Sequence, residues 1–251
     1  MTYYSQTSQD FIIDKLLKRK KKGFFFDIGA HDGITFSNSY FFEKERGWNG
    51  ICVEPIPDVF EKLKKNRNCN LINGAISETS ENTTFIKVSG YSEMLSGISK
   101  FRDSRHQERT LSEISQYGGQ MEEIEIRTYS FDEVFQKFNI KKIDYLSLDI
   151  EGGEFEVLQS INFGKYNISI LTVENNYQSS KIRNMMSTKG YYLLLIIGAD
   201  DFYIKKDILL SVIKQILKDW SLIKIFFKVR LKLIYNSLKI IMKTANKNKR
   251  Y

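Results

Sequence analysis

Two short segments constrain this chain more than any others. Phe24-Phe25-Phe26-Asp27-Ile28-Gly29-Ala30-His31-Asp32-Gly33 is a buried-type run that ends in an acid and a glycine turn, and Gly50-Ile51-Cys52-Val53-Glu54-Pro55 is a second such run ending in an acid. An open parallel sheet holds its ligands at the carboxyl ends of its strands, where a glycine turn lets backbone approach the ligand and the next helix offers free N–H groups. The pair therefore predicts a nucleoside-binding crevice, with Glu54 placed to accept both hydroxyls of a ribose. The glycines read Asp27-x-Gly29-x-x-x-Gly33, not the Gly-x-Gly-x-x-Gly that brings backbone against a pyrophosphate. A ligand with a ribose but no diphosphate is favoured, and S-adenosylmethionine is such a ligand.

The rest of the chain fits an α/β reading. Strand-length apolar runs recur at Asn70 to Ile76, Tyr145 to Ile150, Ile168 to Glu174 and Tyr191 to Ile197. Helical patterns stand between several of them, at Ser37 to Arg46, Asp58 to Lys65 and Phe131 to Phe138, and Asp10 to Leu17 forms one more before the first strand. Alternation of this kind implies crossover units and a mostly parallel sheet. Thr83 to Val88 and Glu122 to Thr128 alternate as an antiparallel extension would. The polar stretch Gly90 to Gln120 between them reads as a lid or substrate loop, or as a disordered segment.

Charge divides the chain unevenly. Residues 205–251 hold eleven Lys and two Arg against Asp207 and Asp219, a balance of +11, so the +8 of the whole chain leaves −3 for residues 1–204. An acidic body argues against nucleic acid in the crevice. From Asp207 to about Ala245 the sequence has neither Gly nor Pro, and Lys214, Lys218, Lys224, Lys228, Lys232, Lys239, Lys243 and Lys247 fall within one sector of a helix. One or two amphipathic helices are expected there, packed on the domain or on another subunit, or lying on an anionic membrane surface with Trp220, Phe226 and Phe227 in the acyl boundary. Lysines interrupt every apolar run well below the ~20 residues that span a bilayer.

Cys52 and Cys69 form neither a disulfide framework nor a metal-ligand spacing, which suits a reducing cytoplasmic setting, peripheral at the inner membrane face if the tail binds lipid. The basic run Lys18 to Lys22 is followed by too few apolar residues for a secretory segment and reads as the solvated end of the first helix.

A second acidic constellation carries the chemistry. Asp149-Ile150-Glu151-Gly152-Gly153-Glu154 closes one strand and Glu174 the next, so Asp149, Glu151 and Glu174 can converge beside the ligand. Glu154 reads as a first-turn acid complementing a helix dipole. For a general base, Asp149 is the first choice and Glu151 the second, with His106 an outside candidate. An alternative use of Asp149, Glu151 and Glu174 is as oxygen ligands for Mg²⁺ or Mn²⁺.

Ser5-Gln6-Thr7-Ser8-Gln9-Asp10, the Phe26-to-Gly33 turn, Ser37-Asn38-Ser39-Tyr40-Phe41-Phe42-Glu43, Gly47-Trp48-Asn49-Gly50, Glu54-Pro55 and Asp149-Ile150-Glu151-Gly152 together resemble the FkbM-type methyltransferases, from about Ser5 to Lys206. The resemblance implies a Rossmann-like class I methyltransferase fold over residues 1–206, with helices on both faces of the sheet. Residues 207–251 remain a basic helical extension outside it. It further implies an S-adenosylmethionine-dependent O-methyltransferase acting on a hydroxyl of a sugar, nucleotide-linked sugar or related metabolite. By that similarity Asp27, Gly29, Ala30 and Gly33 surround the methionine portion, Gln9 reaches its end, Glu54 takes the ribose, and Asn73, Ala75 and Ile76 lie near the adenine. His31 departs from the Asn common in this turn. The competing readings are an RNA-modifying methyltransferase, which the high pI favours, a non-catalytic scaffold on the same fold, and a nicotinamide dehydrogenase, which the missing glycine pattern disfavours.

Overall fold

Alternation along the first strand sets up the two sides of the molecule. Phe24, Phe26 and Ile28 point into one apolar cluster and Phe25 into the other, as a two-residue period requires. The structure, a computed structural model, describes residues 1–229.

In chain order the first half comprises α1 (Gln9–Leu16), β1 (Phe24–Ile28), α2 (Tyr40–Arg46), β2 (Asn49–Glu54), α3 (Pro57–Asn66), β3 (Asn70–Asn73), β4 (Ala75–Ile76), β5 (Asn82–Ser89), β6 (Gly97–Ile98), α4 (Ser104–Tyr117) and β7 (Gln120–Tyr129). The second half comprises α5 (Phe131–Lys137), β8 (Lys142–Leu148), α6 (Glu154–Ser160), β9 (Asn167–Glu174), α7 (Ser180–Thr188), β10 (Tyr191–Ile197), β11 (Asp200–Lys205) and α8 (Leu209–Lys218).

Seven strands form one sheet in the order β10-β11-β9-β8-β1-β2-β3, in which β9, β8, β1, β2 and β3 run parallel. Strand order reverses between β1 and β8, which opens a crevice at their carboxyl ends. One face is covered by α5, α6 and α7 through Val134, Phe135, Val157, Leu158, Ile182 and Met186. The other is covered by α1 and α2 through Ile12, Ile13, Leu16, Phe41 and Phe42, joined by Leu63 and by Val212 of α8. The α/β expectation with helices on both faces therefore holds.

Three local expectations are corrected. The single strand expected over Asn70 to Ile76 breaks at Gly74; β4 leaves the main sheet and pairs parallel with β7. The stretch Gly90 to Gln120 is neither an open loop nor disordered: it holds two short 3-10 turns, β6 and the helix α4, which Asp103 caps through the His106 N–H at 2.9 Å. With β4, β5 and β7 it builds a four-stranded layer, β4-β7-β5-β6, over a small core of Ile56, Val59, Phe85, Ile98 and Ile126. Finally, β11 was not expected. It returns antiparallel between β9 and β10 after the tight Gly198-Ala199 connection.

The tail begins on the body of the protein. Val212 and Leu222 are buried, Phe226 is half-buried against the same cluster, and Lys15 of α1 pairs with Asp219 at 3.1 Å. Residues 220–229 are helical. The expectation for residues 230–251 lies outside the described residues. Within residues 1–229 no helix is long and apolar enough to cross a membrane. Of the basic run, Lys20 pairs with Asp144 at 2.7 Å, and its carbonyl accepts the Trp48 indole N–H.

Candidate active site

At the reversal point β1 and β8 come unusually close. The Asp149 N–H donates to the Ile28 carbonyl at 3.1 Å, and a Cβ on Gly29 would lie 1.8 Å from the Asp149 carbonyl oxygen. Gly29, at φ +89°, thus serves strand approach as well as the turn. Above it opens a cleft of about 210 Å³.

Most of the expected residues line this cleft: Gln9, Asp27, Gly29, Ala30, Glu54, Ala75, Ile76, Asp149, Glu151 and Glu174. Gly33 and Asn73 do not. A Cβ on Gly33 would meet Leu63 at 2.6 Å and Arg67 at 2.7 Å, so this glycine lets α3 pack against the turn. The Asn73 amide donates to the carbonyls of Glu54 and Pro55 at 2.9 and 3.2 Å and braces the end of β2 from behind.

Glu54 is buried at the end of β2, with Oε2 accepting from the His31 N–H at 3.0 Å and Oε1 from the Ile56 N–H at 2.9 Å. Each oxygen keeps a second lone pair for a ligand hydroxyl. Burial pushes its carboxyl up to about 7, against the pull of those two N–H groups. His31 adopts φ +50° to present its N–H, and its ring Nε2 lies 3.2 Å from Glu93 of the inserted layer. Asp27 is buried and raised in pKa by that burial; the Ser39 hydroxyl donates to it, and the Arg67 guanidinium donates in turn to Ser39 at 3.0 Å.

The N-terminal motif folds around a buried acid. Asp10 accepts from the N–H groups of Tyr4 and Ser5 and from the Ser5 hydroxyl, curling the segment so that Gln6, Thr7 and Gln9 reach the cleft. Thr7 and Gln9 both donate to Asp200 Oδ2, at 2.9 and 2.7 Å. Asp200 is itself a lining residue that sequence reasoning missed, held up to about 6 by burial. Its signal was the glycine hairpin turn just before it. The inserted layer contributes a second set that sequence did not place: Phe85, Glu93, Met94, Ser96 and Ile98.

The three acids of the opposite wall share one poorly solvated space. Burial, and then the neighbouring carboxylates, raise Asp149 well above the carboxylate range and Glu174 to about 11; the Oε2 of Glu174 is buried with no hydrogen-bond partner. Glu151 is pushed up to about 7 by burial, but Arg109 of α4 opposes the shift, its Nη1 3.3 Å from Oε2, where Asn176 also donates at 3.2 Å. Like charges so placed cannot all ionise, and Glu151 is the member with a cation at its side. Among the described residues no group of three or more His, Cys, Asp or Glu side chains could hold a metal ion, so the Mg²⁺ or Mn²⁺ reading of Asp149, Glu151 and Glu174 gains no support. His106 is not among the residues lining the cleft; it is buried on the inner side of α4, its ring 3.0 Å from the Leu95 carbonyl and its pKa lowered by burial, which suits packing rather than base chemistry.

Several solved methyltransferases resemble the chain at low identity. Precorrin-6y C5,15-methyltransferase from Geobacter metallireducens is 11% identical over 78% of this chain and 84% of its own, with a TM-score of 0.39. A methyltransferase from Pyrococcus furiosus is 14% identical over 82% and 88%, with a TM-score of 0.38. The human methyltransferase 10 domain containing protein is 10% identical over 82% and 85%, again at 0.38. No curated protein matches. The methyltransferase FkbM domain matches residues 27–193, from the acid of β1 into β10. With two thirds of its length inside that match and its cleft at the reversal point of a Rossmann-like sheet, the chain belongs to the FkbM methyltransferase family.

Proposed function

We propose that the protein is an S-adenosylmethionine-dependent O-methyltransferase whose acceptor is a hydroxyl of a sugar, nucleotide-linked sugar or related small metabolite. One observation carries the cofactor half: Glu54 ends β2 inside the cleft with each carboxylate oxygen fixed by a single backbone N–H, a rigid acceptor pair suited to two vicinal hydroxyls. Ile56, Ala75, Ile76 and Phe85 supply an apolar slot beyond it for a purine. Asp200, with a carboxyl at about 6, keeps negative charge at the other end, and Asp27 and Asp149 add polar carboxyl groups there, which suits a ligand carrying an ammonium group. S-adenosylmethionine, when bound, supplies a methyl group already activated on sulfur.

The protein then has to orient an acceptor hydroxyl and take its proton. Holding reactants in a near-attack geometry contributes up to ~7–11 kcal/mol, and a positioned base adds ~10²- to 10⁴-fold. We assign the base to Glu151, ahead of Asp149. Glu151 has the cation Arg109 beside it and a carboxyl near 7, so it is substantially ionised at neutral pH, whereas burial and neighbouring charge keep Asp149 and Glu174 protonated. Protonated Glu174 is left as a hydrogen-bond donor. Phe36, 51% exposed on the cleft wall, and Met94 offer an apolar patch for the C–H face of a pyranose.

Turnover of a panel of nucleotide sugars and free glycosides, followed as S-adenosylhomocysteine release with and without a chelator, tests the reading. Methylation of at least one hydroxyl acceptor, insensitive to chelator, is the expected result. Release that tracks nitrogen or carbon acceptors only would overturn it.

A further inference from the structure

The outward face of the C-terminal helices is unlike the rest of the surface. Leu210 and Leu217 of α8 are 73% and 70% exposed, and Trp220 and Phe227 of the following helical segment are 67% and 65% exposed. Lys214, Lys218, Lys224 and Lys228 are exposed among them, with Lys224 lying 5.8 Å over the Trp220 ring. Among the described residues no acid answers these lysines: Asp207 pairs with Lys205, and Asp219 is taken up by Lys15 and Ser221. The opposite face of the same residues is fixed, because Val212 and Leu222 are buried in the domain core. Each helical segment is therefore anchored to the body by a buried residue, Val212 or Leu222, and turns large apolar side chains and lysines to solvent.

We propose that this face docks on an anionic lipid bilayer, with Leu210, Leu217, Trp220 and Phe227 entering the interface and the four lysines at headgroup level. Charge complementarity and side-chain chemistry select this occupant. A second copy of the chain would bring lysines against lysines across a two-fold. A nucleic acid would neutralise the lysines through its phosphates and leave the leucines, Trp220 and Phe227 without a partner. An anionic bilayer satisfies both sets at once, the apolar side chains reaching roughly 5–10 Å into the headgroup and acyl boundary.

The chain carries its own probe, because its two tryptophans differ in environment: Trp48 is 3% exposed and Trp220 67%. Full-length protein is titrated with vesicles of phosphatidylcholine alone and of phosphatidylcholine with phosphatidylglycerol. The expected result is a blue shift of tryptophan emission and co-sedimentation with the mixed vesicles only. Trp220→Phe should abolish the shift while leaving most of the sedimentation. Lys214→Glu with Lys218→Glu should lower partitioning at least ten-fold, since one basic residue near an anionic surface contributes about five-fold; an unchanged thermal melt shows that this variant is folded. Equal partitioning into neutral vesicles, sedimentation without a shift, a shift produced by protein concentration alone, or displacement of vesicles by an RNA oligomer would each overturn the proposal.

Discussion

The carbonyl oxygen of Asp149 fills the space in which a side chain at Gly29 would begin, 1.8 Å from a Cβ built there. The two residues follow adjacent strands, so the glycine turn after β1 and the acids after β8 are locked into one unit. Gly29→Ala should force β1 and β8 apart and add the cost of a positive φ. A loss of ~3 kcal/mol or more is expected, lowering Tm by roughly 6–12 °C for a domain of this size. A thermal melt of the variant checks it, and a shift below 2 °C would contradict the close approach.

Glu54→Gln leaves size and shape nearly intact but gives one of the His31 and Ile56 N–H groups a donor to face instead of an acceptor. With charge-assisted hydrogen bonds worth ~1.5–3 kcal/mol, S-adenosylmethionine affinity should fall about 10- to 150-fold. Calorimetric titration measures this directly. Unchanged affinity would remove Glu54 from the ribose.

Glu151→Gln should lower kcat by ~10²- to 10⁴-fold while cofactor affinity stays within a few-fold. The wild-type rate should rise with pH through a limb near 7, where Glu151 loses its proton. Arg109 pulls that pKa down against burial and the neighbouring Glu154 and Glu113, so Arg109→Gln should move the limb to higher pH. A limb that stays put in Arg109→Gln would show that another group titrates.

Glu174 bears on stability. Its folded pKa lies above the ordinary 4.5, at about 11, so from pH 4.5 upward the native state binds a proton that the unfolded chain releases. Stability therefore falls as pH rises across that window. Glu174→Gln removes the penalty, and the variant should melt several degrees above wild type at pH 8 and close to it at pH 5. Paired melts at the two pH values are sufficient, and equal curves at pH 8 would refute the buried, protonated assignment.

The main sheet was legible because β1, β2, β8 and β9 are mostly apolar, strand-length runs with an acid at or next to their ends, as strands buried on both faces require. Those same closing acids, Asp27, Glu54, Asp149 and Glu174, are the residues found in the cleft. Legibility failed where tertiary contacts decide. Gly33 reads as a ligand glycine, yet it lies outside the cleft lining and packs against Leu63 of α3 and Arg67 just after it. The helix α4 went unread because its apolar content is low: it is held by the Asp103 cap, by His106 and by the Arg102 bond to Thr110 at 2.8 Å, more than by a greasy face. Asp200 was hidden by the unanticipated β11, whose antiparallel return folds the far edge of the sheet back over the N-terminal segment.

The inserted layer leaves and rejoins the body through neighbouring strands, since β4 and β7 pair from Ala75–Thr128 to Ile76–Tyr129. Everything between those residues can lengthen, shorten or be exchanged without shifting the register of any strand in the seven-stranded sheet. Yet Phe85, Glu93, Met94 and Ile98 from that module form one wall of the cleft, and Arg109 reaches Glu151. On the proposed function, grafting residues 77–127 between family members with Phe85 retained should change acceptor preference more than methyl-donor binding.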